Sequence, residues 1–82
     1  MKLRVRFFSL YSDVAGDSVD VELEDGARVK DVVRVITSLY PRLKELFADI
    51  KPIVLVNGVA RNSEYKLSEG DEIAFIPPAS GG

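Results

Sequence analysis

The sequence predicts a small α+β domain in which a mixed sheet of four or five strands packs on one main helix. Two kinds of hydrophobic periodicity indicate this class. Apolar residues alternate near both ends of the chain, and they recur every three or four positions between Arg28 and Leu43. A chain of 82 residues is short, and a domain of this size buries only about 60–65% of the surface of its unfolded chain. We therefore expect a single core between one sheet and its helix.

The first two predicted strands form an antiparallel hairpin. The first strand alternates an inward set with an outward set, namely Leu3, Val5 and Phe7 against Lys2, Arg4, Arg6 and Phe8. The second strand places Val19, Val21 and Leu23 inward and ends at a turn signal in residues 24–26. Residues 9–17 are rich in Ser, Asp and Gly, which predicts a connecting loop that can contain a helical turn.

An amphipathic helix is predicted next. Its apolar positions recur at intervals of three and four residues: Val29, Val32, Val33, Ile36, Leu39, Tyr40 and Leu43. Pro41 should end or sharply interrupt this helix, because proline lacks a backbone donor and clashes with the preceding turn. Leu43, Leu46 and Phe47 then form a short apolar stripe, which we interpret as a helical turn closing the edge of the core.

The remaining strands lie in the C-terminal part of the chain. Ile53–Val56 is a short apolar strand, and Asn57-Gly58 favours a tight hairpin into a brief return strand at residues 59–61. A polar loop follows, in which Leu67 is expected to pack inward, and Glu72–Ile76 is the last strand. The first and last strands are expected to be central, because neither contains proline and both carry large apolar residues.

This order of elements predicts a ubiquitin-like β-grasp. A helix of about three turns, roughly 18 Å long, can cover one face of such a sheet. We assign residues 1–76 to the β-grasp domain and residues 77–82 to a flexible, extended C-terminal tail that ends in Gly-Gly.

Composition excludes several classes of function. The chain has no Cys and no His, which excludes disulfides, cysteine nucleophiles, histidine-based catalysis and most zinc sites, so no metal site is predicted. Its net charge of −2 argues against nucleic-acid binding. No apolar run of about 18 residues is available to span a membrane. Without a recognisable secretion signal, the expected location is the cytoplasm.

Carboxylates and lysines remain as catalytic candidates, but their pattern is ordinary. Pairs such as Glu24-Asp25 and Asp71-Glu72 fall in predicted turns and strand starts, where solvated surface residues are the simpler interpretation. The glycines near them lack the spacing of a P-loop or of a dinucleotide site. The chain alone is therefore not predicted to be catalytic.

The tail is the feature that does suggest chemistry. Pro77 and Pro78 cannot extend the sheet and should hold the departing chain extended, so the tail can reach about 20 Å from the domain. Gly81 and Gly82 make its end thin enough for a narrow channel, and its reactive group is the terminal carboxylate. This role requires the chain to stop at Gly82. A frayed terminus is the alternative for a Gly-Gly ending alone.

A modest apolar patch is predicted on the sheet face opposite the helix. Phe8, Ala74 and Ile76 have the strand parity of that face, and Phe8 and Ile76 become neighbours if the first and last strands are adjacent. The basic residues of the first strand would form a polar rim around this docking surface. The alternative is that the loop at residues 9–17 covers Phe8.

Several segments together resemble a known family. They are Val5-Arg6-Phe7-Phe8, Val56-Asn57-Gly58, Leu67 with Gly70-Asp71-Glu72-Ile73-Ala74-Phe75, and Pro77-Pro78 with Gly81-Gly82. This pattern covers essentially the whole chain and resembles the small, sulfur-carrying subunit of molybdopterin synthase, the MoaD type of the ubiquitin-like MoaD/ThiS family. The ending is its most specific part.

The resemblance implies a carrier protein that binds no cofactor itself. An ATP-dependent, E1-like enzyme would adenylate the carboxylate of Gly82, and sulfur from a donor would replace the AMP. The resulting thiocarboxylate would enter the large, catalytic synthase subunit and supply sulfur for the molybdopterin dithiolene. By position, Phe8, Ala60 and Ile76 match the apolar docking surface of the family, and Ala60 and Ile76 stand where larger or aromatic side chains can occur.

Three other interpretations remain open. A thiamine-pathway sulfur carrier shares the fold and the Gly-Gly end, but it is usually shorter and lacks the Phe-Phe and Pro-Pro segments. A ubiquitin-like modifier would join the same activated carboxylate to lysines of target proteins. A plain interaction domain would carry an inert tail.

Overall fold

The computed structural model describes residues 1–78 and has eight elements in chain order. They are β1 (Lys2–Phe7), α1 (Leu10–Ala15), β2 (Ser18–Glu22), α2 (Val29–Leu39), α3 (Pro41–Asp49), β3 (Ile53–Val56), β4 (Val59–Ala60) and β5 (Glu72–Ile76). None of the three helices in this part of the chain combines the length and the apolar character needed to cross a lipid bilayer.

The strands form one mixed sheet in the order β2-β1-β5-β3-β4. β1 pairs with β2 in antiparallel fashion and with β5 in parallel fashion, and β3 is antiparallel to both β5 and β4. The predicted ubiquitin-like β-grasp is thus confirmed, with five strands. The expectation that the first and last strands lie inside the sheet is also correct.

The core lies between the sheet and the helices. The buried residues come from every strand except β4, from each helix and from the loop before β5: Leu3, Val5, Phe7, Tyr11, Val21, Val29, Val32, Ile36, Leu43, Val56, Leu67, Ile73 and Phe75. The predicted inward positions of β1 and β5 and the predicted burial of Leu67 are confirmed. Leu23 lies beyond the end of β2 and is only partly buried against the core.

The helical part is larger than the sequence predicts, because α1 and α3 accompany the main helix α2. Residues 10–15 form α1 where a loop that can contain a helical turn was expected, and Tyr11 anchors α1 in the core, with its ring 5.1 Å from that of Phe47. The predicted helical turn after Pro41 is a helix of nine residues. Proline is well suited to the first turn of a helix, where the backbone N–H has no intrahelical partner.

The chain turns sharply between α2 and α3 at Tyr40. The Tyr40 N–H donates to the carbonyl of Ile36 and closes α2, while the Tyr40 carbonyl accepts the N–H of Leu43 and opens α3. The predicted interruption at Pro41 is therefore correct, and Leu43 belongs to the second helix. Through this turn the apolar stripe of α3 also packs against the core.

The hairpin between β3 and β4 takes the predicted tight form. Asn57 and Gly58 both have positive φ, 50° and 84°, as a type I′ turn requires. The Asn57 amide donates to the Asp71 carboxylate at 2.9 Å and accepts the Glu72 N–H at 3.0 Å. These bonds join the hairpin to the start of β5.

Candidate docking and tail site

The tail begins at the most enclosed strand of the sheet. β5 lies between β1 and β3, and its side chains Ile73 and Phe75 are completely buried. The Phe75 ring stacks on Phe47 with centroids 5.4 Å apart and on Phe7 with centroids 6.2 Å apart. The chain therefore leaves the sheet from a point whose position is set by packing on both sides.

Pro77 and Pro78 follow β5 directly and are half-buried. They line a groove of about 370 Å³. The other residues that line it belong to α1, to α3 and to the position directly after α3: Leu10, Tyr11, Leu46, Asp49 and Ile50. Burial raises the pKa of the Tyr11 phenol. The first two tail residues thus lie against the domain. Gly81 and Gly82 lie outside the described residues, and their predicted role stays a prediction.

Strand register places a set of apolar residues on the sheet face opposite α2 and α3. Ile53 is opposite Ile76, and Leu55 is opposite both Ala74 and Ala60. Phe8 continues the parallel ladder, since its N–H donates to the Phe75 carbonyl at 3.2 Å. We call this set the outer patch: Phe8, Ile53, Leu55, Ala60, Ala74 and Ile76.

Phe8 remains accessible within the outer patch. Its side chain is 37% exposed, and α1 follows without covering it. The guanidinium carbon of Arg6 lies 5.2 Å from the centre of the Phe8 ring, within the range of a cation–π contact. The alternative in which the connecting segment buries Phe8 is therefore wrong.

The predicted docking residues Ala60 and Ile76 share this face with Phe8. Ala60 is exposed on the edge strand β4, and Ile76 is half-buried beside Ile53. Ile53, 41% exposed, and its neighbour Leu55 were not among the predicted docking residues. Their parity could have indicated them, since Val54 and Val56 point inward and Ile53 and Leu55 must therefore point outward. The docking role of all these residues stays a prediction.

The rim of the outer patch carries both signs of charge. Arg4 Nε is 3.0 Å from Asp20 Oδ1, and Arg6 Nη1 is 3.3 Å from Glu72 Oε1. The expected basic residues of β1 are thus accompanied by cross-strand carboxylates, which stand beside Arg4 and Arg6. Exposed pairs of this kind contribute little to stability. The outer patch is therefore an apolar surface bordered by ion pairs, an arrangement that is typical of surfaces that bind proteins.

This sheet order, with α2 and α3 over one face and the tail leaving the central strand, defines a ubiquitin-like β-grasp protein. The chain belongs to the ThiS family, whose sequence profile matches residues 5–82. The resemblance found in the sequence is thereby confirmed.

Individual relatives are similar over nearly their full length. The molybdopterin synthase sulfur carrier subunit of Chlamydomonas reinhardtii is 32% identical to this chain, with all of both chains covered. Small archaeal modifier protein 1 of Haloferax volcanii is 33% identical, and the match covers 94% of this chain and 97% of that protein.

Solved structures agree in fold. The crystal structure of SAMP1 from Haloferax volcanii superposes with a TM-score of 0.88 at 29% identity and covers all of both chains. One chain in the complex of subunits 1 and 2 of the molybdopterin-converting factor from Helicobacter pylori superposes with a TM-score of 0.71 at 25% identity, again over all of both chains. That relative therefore works with a protein partner.

Proposed function

We propose that this protein is the sulfur-carrier subunit of a molybdopterin synthase. The observation that carries the proposal is the point at which the tail begins: Pro77 follows the central strand β5 directly, and the last residue of that strand, Ile76, belongs to the outer patch. The full-length similarity to a molybdopterin synthase sulfur carrier subunit supports the same function. In this arrangement a partner that docks on the outer patch receives the tail at a defined place.

The proposed chemistry takes place at the carboxylate of Gly82. A carboxylate is a poor electrophile, so an E1-like enzyme first uses ATP to convert it into an acyl adenylate with release of pyrophosphate. Sulfur at the oxidation level of sulfide, supplied by a donor, then attacks the acyl carbon, AMP leaves, and a thiocarboxylate remains. This chain contributes the carboxyl group and the docking surface, while ATP is bound by the activating enzyme.

The carrier next binds the large synthase subunit. Its thiocarboxylate enters the active site of that subunit and donates sulfur, and two such donations build the dithiolene of molybdopterin. The outer patch would serve both partners in turn, because the activating enzyme and the synthase must each receive the same tail. No side chain of the carrier needs to act as an acid, a base or a nucleophile.

Mass spectrometry of the intact protein tests the proposal. We expect incubation with the activating enzyme, ATP and a sulfur donor to replace one oxygen by sulfur at Gly82. Matched controls are the reaction without ATP and the protein shortened by Gly81 and Gly82, neither of which should gain sulfur. The activating enzyme must first be shown to be active on the carrier protein with which it naturally works. If the mass of the full protein then stays unchanged, the proposal is contradicted.

Conjugation to proteins is the second candidate function. The similarity to small archaeal modifier protein 1 favours it, and the same adenylate would react with a lysine amine in place of a sulfur donor. It requires an isopeptide bond between Gly82 and a target lysine. Branched peptides in digests of cells that produce the protein would reveal this bond. If such peptides are absent and the thiocarboxylate forms, only the carrier function is supported.

A further inference from the structure

A second surface lies on the helical side of the domain, and it shares no lining residue with the groove around Pro77 and Pro78. It is a cleft of about 350 Å³ between α2, α3 and the segment that follows β4. Its apolar floor is formed by Val29, Val33, Phe47 and Val54. Val29 is buried, whereas Val33, Phe47 and Val54 are half-buried, so part of this floor is open to solvent.

The cleft is held open by bonds among its own walls. The Val29 N–H donates to the Tyr65 carbonyl at 3.0 Å, and the Lys30 N–H donates to the Ser63 carbonyl at 3.0 Å. The Arg61 guanidinium lies over the Tyr65 ring, 4.4 Å from its centre. These contacts tie the segment after β4 to the first turn of α2, so a ligand would meet a preformed surface.

The charge around the cleft is one-sided. Lys30, Lys51 and Arg61 line it, and none of its lining residues in the described part of the chain is acidic. The chain as a whole has 13 acidic and 11 basic residues, so this concentration of cations departs from its average. Glu64 lies just outside and pairs with Lys30 at 3.2 Å. Lys51 and Arg61 are thus the cations best placed for an added carboxylate.

We propose that this cleft binds a peptide segment of a partner protein in which a large apolar side chain is flanked by carboxylates. The apolar side chain would occupy the floor, and the carboxylates would meet the cations at its rim. A volume near 350 Å³ is at the small end of ligand pockets and suits one anchoring side chain. The lining of the cleft includes no residue of the outer patch and neither Pro77 nor Pro78, so a partner could be bound here while Gly82 reacts with another protein.

NMR titration of the labelled full chain provides the test. The probe is acetyl-Asp-Glu-Phe-Glu-Asp-amide, and we expect amide shifts that centre on the cleft and weaken as salt is added. Two control peptides separate the contributions: one replaces Phe by Ala, and the other replaces the four acids by Lys and Arg. Both should bind much more weakly than the probe. Shifts located elsewhere, or equal shifts with the basic peptide, would overturn the proposal.

Two further measurements complete the test. Lys51→Glu should weaken binding of the probe by roughly fivefold. Lys44→Glu makes the same charge change on α3 outside the cleft and should have little effect, so equal affinities of the two variants would contradict the proposal. Octanoate tests a free amphipathic carboxylate as the occupant. If octanoate matches the peptide in affinity at the same residues, a peptide is not the ligand.

Discussion

Within the outer patch, Phe8 is the residue that we expect to contribute most to the binding free energy of docking. It is a large exposed aromatic beside the tail, and aromatic side chains are often the residues that dominate binding energy at interfaces. We expect Phe8→Ala to weaken binding to the large synthase subunit by about 1–3 kcal/mol, measured by calorimetry. Leu39→Ala removes an exposed apolar side chain on α2 and is the matched control. Equal affinities of the two variants would remove Phe8 from the docking surface.

Ser9 occupies a strained backbone conformation directly after Phe8. Its φ of 56° and ψ of −131° correspond to the second residue of a type II′ turn, a position that favours glycine, and the Tyr11 N–H closes this turn on the Phe8 carbonyl. The Ser9 side chain makes no capping bond that glycine would lose. Strain of this kind costs about 1–3 kcal/mol.

Ser9→Gly should therefore stabilise the protein against urea. The expected gain is about 1 kcal/mol, because the extra freedom of glycine in the unfolded chain offsets part of the relieved strain. Ser18→Gly makes the same replacement in the extended strand β2 and should lower stability. If both variants are destabilised alike, Ser9 is not strained.

At the scale of elements, the first turn of α2 contains a carboxylate that links stability to pH. Asp31 Oδ2 accepts the backbone N–H of Arg28 at 2.8 Å, and Asp31 Oδ1 lies 2.9 Å from Arg34 Nη2. The bond from Arg28 is the main cause that holds the pKa of Asp31 below its usual range, and Arg34 adds to it. This group stabilises the fold only while it is charged.

Asp31→Asn tests that linkage. Because the pKa of Asp31 is lower in the folded than in the unfolded chain, its contribution is complete above about pH 4 and is lost as the pH falls through the folded-state value. The variant should be less stable than the original protein at neutral pH, with a melting temperature a few degrees lower. The difference should shrink in acid. Melting curves that differ equally at pH 7 and pH 2.5 would contradict this assignment.

The sequence predicts strands more accurately than helices in this chain. Alternation in β1 and β5 assigns their buried faces correctly because one face meets the core and the other meets solvent. α1 is predicted only as a helical turn within a loop, since a six-residue helix is too short for periodicity, and Tyr11 is its one fully buried side chain. α3 is underestimated since its stripe contains only Leu43, Leu46 and Phe47, and burial against the sheet supplies what local propensity does not.

At the scale of the whole molecule, the candidate site depends on contacts between distant parts of the chain. Phe8 and Ile76 could be paired from sequence only on the condition that the first and last strands are adjacent, which the sheet order shows. Parity indicates the face of Ile53, but its pairing with Ile76 and the groove around Pro77 and Pro78 could not be found without knowing that β3 borders β5 and that α1 and α3 line that groove. Short-range patterns contain no information about such neighbours.

The same contacts predict how the protein responds to shortening. The buried core extends from Leu3 to Phe75, so removing Gly81 and Gly82 should leave the urea midpoint almost unchanged while it prevents sulfur loading. Ending the chain after Ile76 also removes Pro77 and Pro78 from their groove and should cost about 1 kcal/mol, the scale of burying one or two methylene groups. Equal stabilities of the two shortened proteins would show that the prolines do not contribute to the domain. A large loss on removing the glycines alone would contradict a tail whose function lies outside the fold.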